Sequence, residues 1–156
     1  MTATVIWNAA LSYAAQFNAG ADLNSLAAGS CAVSSTVYDN TTNLYTDAWV
    51  SCSLPTLATG TGAPSLAVYL LPLNQDGTTY GDGTASGTTA PSAAYYVGSI
   101  TWEPSLASAT QVGSIQISTG IPPTKFKLAV VNNIGNALAA SGNVVAIAPD
   151  KLNLNG

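Results

Sequence analysis

The stretch VYLLPLNQDGTTYGDGT, residues 68–84, sets the carboxylates of Asp76 and Asp82 among Gly77, Gly81 and Gly83, just after an apolar run that Pro72 ends. Carboxylates spaced by glycines are the raw material of a calcium loop, where oxygen ligands follow one another around a sharp turn. Aligning Gly77 with the invariant glycine of such a loop puts Pro72 at the first ligand position and Gly83 where a bidentate glutamate belongs. Both ends therefore lack their oxygens. Turn chemistry accounts for the residues better, with Asp76 bonding its own backbone, Gly77 taking positive φ and Tyr80 covering the turn. No metal and no cofactor is expected.

Other chemistry is excluded by residue type. The chain has no His, which removes Ser-His, Cys-His and His-metal arrangements. A glycosidase-like pair needs two carboxyls across a cleft, and the supply is Glu103 and scattered Asp residues. The expectation is a protein that is not an enzyme. With a net charge of −4 and Lys125, Lys127 and Lys151 as the sole cations, nothing neutralises a row of phosphates, so nucleic acid is not a partner. No apolar run approaches the roughly 20 residues of a membrane span, and MTATVIWNAALSY lacks the basic start of a signal peptide. Synthesis and retention in a cytoplasm are expected, with Cys31 and Cys52 as buried free thiols.

Aromatic side chains are the remaining candidates. In NLYTDAWVSCSL, residues 43–54, Leu44, Ala48, Val50, Cys52 and Leu54 alternate with Tyr45, Asp47, Trp49, Ser51 and Ser53. Tyr45 and Trp49 thus fall on the face opposite the aliphatic row, where exposed aromatics suit a protein interface or sugar stacking and buried ones a second core layer. The N-terminal segment, residues 1–18, carries Ile6, Trp7, Leu11 and Tyr13, too many apolar groups to leave in water. It reads either as the first strand or as an arm that docks on a neighbour. Ile6, Trp7, Leu11, Tyr13, Tyr45 and Trp49 are the interface candidates.

The elements that must position these residues are strands. Further short apolar or alternating runs occur at 31–38, 65–71, 95–102, 111–117, 125–131 and 142–148, each bounded by Gly, Pro, Asn or Asp. Their spacing predicts an all-β, single-domain, jelly-roll-like β-sandwich over residues 19–156, with seven to nine short antiparallel strands. One short helical turn is expected at ADLNSLAAG, residues 21–29, capped by Asp22 and stopped by Gly29. Residues 55–63 and 81–93 read as loops.

Only 6% of residues are charged against 47% apolar, so neutral Thr, Ser and Asn must keep the surface in water. Soluble monomers commonly use Lys and Glu to blunt sheet edges, and this chain has few of either. Much of its surface is expected to be covered by other subunits, as a homotrimer.

The segments ADLNSLAAGS, DNTTNLYTDAWVSCSL, VYLLPLNQDGTTYGDG, YYVGSI and GIPPTKFKLAVVNNIGNALAASGN resemble a family of small tailed-bacteriophage virion structural proteins, over about residues 20–148. The resemblance implies a β-sandwich subunit without catalytic residues. By analogy with capsid cement or decoration proteins, it implies a homotrimer bound to the major capsid protein on the outer surface of the virion, stabilising the shell. The rival reading is a tail-associated receptor- or glycan-binding β-sandwich module.

Overall fold

The computed structural model describes residues 4–6, 14–15, 17, 22–55, 63–83, 85, 88–102, 110–117, 121, 124–150 and 153–155. Among these lie strands β1 (Thr4–Ile6), β2 (Ala14–Ala15), β3 (Cys31–Val33), β4 (Tyr38–Asp39), β5 (Asp47–Leu54), β6 (Ser65–Pro72), β7 (Tyr96–Thr101), β8 (Gln111–Ile117), β9 (Lys125–Asn132), β10 (Val144–Asp150) and β11 (Asn153–Asn155). Two antiparallel sheets, ordered β2-β10-β5-β8 and β3-β9-β6-β7 with β4 also on β9, form a β-sandwich. A separate ribbon pairs β1 with β11. Each of the seven runs read from the sequence falls on a strand or strands; the additions are pieces of two or three residues, too short to show a period.

β5 has the expected alternation: Ala48, Val50, Cys52 and Leu54 point inward and are fully buried, while Asp47, Trp49, Ser51 and Ser53 point outward. Across the core stand Leu66, Val68 and Leu70 of β6 and Phe126, Leu128 and Val130 of β9, joined by Ile117, Val145, Ile147 and Phe17. Burial of these side chains drives the two sheets together, each fully buried aliphatic contributing about 1.5–3 kcal/mol.

β6 and β9 are buried on both faces, because Ala67, Leu71, Ala129, Val131 and Cys31 belong to a second apolar cluster on the far side of their sheet. The cysteines are free thiols in different layers, Cys52 in the main core and Cys31 in this outer cluster. Burial pushes the Cys52 thiol up to about 12 and that of Cys31 to about 11.

Three expectations are corrected. Residues 22–30 form turns rather than a helix. Ser25 and Gly29 take positive φ, and the Asp22 carboxylate, instead of capping a helix, accepts from the backbone N–H and hydroxyl of Ser35. The one described helical turn is a 3-10 turn at Ala93–Tyr95, with Ser92 as its cap. The run 31–38 is two strands, split where Ser34 turns its hydroxyl to the Thr36 carbonyl and receives the Leu128 N–H. Leu44 does not share the inner face of β5. It lies before the strand, takes φ 50 and is 54% exposed, while Tyr45 packs on the main core.

Candidate functional site

The outer cluster on the β3-β9-β6-β7 sheet is roofed by the chain that follows β6. Pro72 removes a ladder donor, and the chain reverses through a tight loop whose ends bridge at Leu73 and Tyr80. Asn74 N–H donates to the Thr79 carbonyl and Gly81 N–H to that of Pro72, both at 2.8 Å. The Asn74 side-chain amide donates to the Gly81 carbonyl at 2.7 Å. Asp76 Oδ1 accepts the backbone N–H groups of Thr78 at 2.9 Å and Thr79 at 2.8 Å, and Gly77 takes φ 71.

These bonds are the turn chemistry read from the sequence. The hydrogen bonds from Thr79, then from Thr78, hold the Asp76 carboxyl down at about 2. Asp82 accepts the Ser92 N–H and so pins the return of the chain toward β7. Among the described residues no group of three or more His, Cys, Asp or Glu gathers around one point.

Gly81 fixes how closely the loop lies on the sheet. A Cβ there would stand 2.9 Å from Leu71 Cδ2 and 3.5 Å from the Tyr95 ring, at a φ of +60 that side chains rarely adopt. With the loop held down, Tyr69, Tyr80 and Tyr95 all pack partly buried on the outer cluster. Tyr96, 48% exposed, sets its ring edge-on to Tyr69 at 5.6 Å between centroids and shares a 2.8 Å hydrogen bond with Ser99.

A cleft of about 310 Å³ opens beside this layer, lined by Val33, Leu71, Thr78, Thr79, Tyr80, Gly83, Ala85 and Lys127. Its size lies at the small end of the range for small-molecule sites. Val33 and Leu71 make the apolar floor, Tyr80 brings an aromatic ring, and Thr78 and Thr79 stand beside it with their side chains hydrogen-bonded to Asp76. Lys127 enters from β9, with its ammonium 5.1 Å from the Tyr80 ring centroid. Tyr80 was legible as the cover of a turn, but the meeting of Lys127 with Tyr80 left no signal in the sequence, since β9 pairs with β6 only in the folded sheet.

The sequence-derived interface candidates are not brought together. Trp49 stands half-buried on the outer face of the other sheet, with Gln116 and Ala148 directly opposite on neighbouring strands. Tyr45 is drawn to the inner side, its N–H donating to Asn40 Oδ1 while the Asn40 amide donates to the Tyr45 carbonyl, each at 2.9 Å. Its placement beside Trp49 is thereby corrected, because the alternation does not run back past the start of β5 at Asp47. Ile6 lies in the β1-β11 ribbon, and Trp7, Leu11 and Tyr13 lie outside the described residues. Further along the first 18 residues, β2 pairs with β10 and Phe17 enters the main core.

No family model and no curated protein sequence matches this chain, and nothing among these comparisons supports the resemblance to phage virion proteins. Among solved structures, a CBM35 from Cellvibrio japonicus Abf62 has a TM-score of 0.42 at 10% identity, covering 99% of this chain and 99% of that one. A Xyl-CBM35 in complex with a glucuronic acid-containing disaccharide has a TM-score of 0.37 at 11% identity, covering 97% and 96%. At TM-scores below 0.5 neither likeness bears on what this chain binds.

Proposed function

We propose that this chain is a carbohydrate-binding β-sandwich module without catalytic activity, and that the cleft beside Tyr80 is its binding site. The observation that carries the reading is the company Tyr80 keeps: an aromatic ring and one ammonium stand beside two threonines over an apolar floor, with more tyrosines in the same layer. A sugar ring presents an apolar C–H face and a rim of hydroxyls. Aromatic rings match the first, and groups that both donate and accept match the second. The chain's neutral, hydroxyl-rich composition suits such a ligand. A trimeric cement on a capsid has no observation of this kind behind it.

The test is retention on a panel of neutral and acidic polysaccharides by affinity electrophoresis, followed by calorimetry on any that bind. Tyr80→Ala and the double variant Thr78→Ala/Thr79→Ala are each expected to weaken binding at least tenfold while circular dichroism stays that of the wild type. A wild-type protein retained by no glycan, or a folded Tyr80→Ala protein that binds as well as wild type, overturns the reading.

A further inference from the structure

The edges of the two sheets are protected unequally. β2 has two residues, β3 three and β4 two, and β4 carries Asp39, whose carboxylate pairs with Lys125 at 3.4 Å. β7 is interrupted opposite Val68 and Tyr69, where the register shifts and Gly98 takes φ 151. These are the usual means of keeping an edge from pairing: short length, charge and bulge.

β8 has none of them. It is seven residues long, it keeps unbroken register with β5 from Leu54↔Gln111 to Ala48↔Ile117, and it contains no Pro and no charged residue. Among the described strands, nothing pairs with its other side. Val112, on its outward face, is at 67% the most exposed of the large apolar side chains among the described residues.

We propose that β8 is a dimerisation edge, paired antiparallel with β8 of a second copy about a two-fold axis through Ser114. The sequence QVGSIQI suits itself as a partner in that register. Ser114 meets its own copy, outward Val112 meets outward Gln116, and inward Gly113 meets inward Ile115, so every residue keeps the face it has in the monomer. An antiparallel two-fold contact uses the same patch on both subunits and closes on itself. Because the strand is uncharged, no like charges meet across the axis. The pairing joins two four-stranded sheets into one and sets two Trp49 faces side by side. The shortage of surface charge is thereby met by a dimer rather than a trimer.

Sedimentation velocity over a wide range of concentrations tests the pairing. The wild type is expected at twice the 15.7 kDa chain mass, dissociating on dilution. Ser114 is exposed in the monomer, so Ser114→Lys and Ser114→Glu should each fold, place two like charges on the axis and sediment as monomers. Mixed in equal amounts, the two variants should recover the dimer mass. A wild type that stays monomeric at every concentration, a trimer mass, a dimer unmoved by Ser114→Lys, or a mixture that stays monomeric overturns the proposal.

Discussion

The Lys127 ammonium stands 5.1 Å from the centroid of the Tyr80 ring and so ties the central strand β9 to the loop that follows β6. Such a contact contributes about 0.5–1 kcal/mol at a partly exposed site. Lys127→Met keeps the aliphatic stem but removes the charge. Amide exchange of residues 74–81 is expected to quicken by about two- to fivefold, with the strands of the opposite sheet unaffected. Unchanged exchange in the loop would mean that the ring and the ammonium are neighbours without coupling.

The same loop carries a pH signature. The Asp76 carboxyl is depressed from 3.8 to about 2 by hydrogen bonds from Thr79 and Thr78. A depressed carboxyl stabilises the folded loop above its unfolded value, and that stabilisation is lost as pH falls through the folded one. The loop should hold its order from neutral pH down to about 4 and loosen between there and about 2. Carbon-13 NMR titration of the Asp76 carboxyl gives the midpoint directly, and a value near 3.8 would count against the bonds. Asp76→Asn should remove the pH dependence.

Gly113 lies where β8 passes β7, and a Cβ built on it would collide with Ile100 Cγ2 and stand 3.2 Å from Trp102 Nε1. Ile100 and Trp102 are both buried, so neither has room to retreat. Gly113→Ala is expected to cost about 1–3 kcal/mol by overpacking. Urea unfolding measures it, with Gly29→Ala as the contrast: that Cβ meets nothing within 4 Å and is penalised only through its positive φ.

Asn132 is a fully buried polar residue that organises two turns. Its amide donates to the carbonyls of Leu26 and Asn136, both at 2.8 Å, and its Oδ1 accepts the Ile134 N–H at 3.0 Å. Asn132→Ala strips partners from buried backbone groups and should destabilise by about 2–4 kcal/mol in urea unfolding. Asn132→Asp, which cannot donate, should be no better. A loss below about 0.5 kcal/mol in both would show that water replaces the side chain without cost.

Strand positions and turn chemistry were legible in the residues, because both are local. The inward row Ala48, Val50, Cys52 and Leu54 needs only the two-residue period of an extended chain, and the Asp76-Gly77 turn only the reach of a carboxylate to its own backbone. The absence of His set the limits on chemistry without any fold at all. What tertiary structure decided was non-local. Residues 22–30 hold a helix-like pattern, yet Leu23 is buried in the main core, Ser25 N–H reaches the Ala139 carbonyl and Gly29 N–H that of Asn132, contacts that draw the backbone into turns. Tyr45 left the Trp49 face because Asn40, itself fully buried, holds its backbone. The cleft required β9 to lie beside β6 so that Lys127 could meet Tyr80. Strand order depends on which apolar faces are buried together, and a periodicity that tells inside from outside says nothing of which strand comes next.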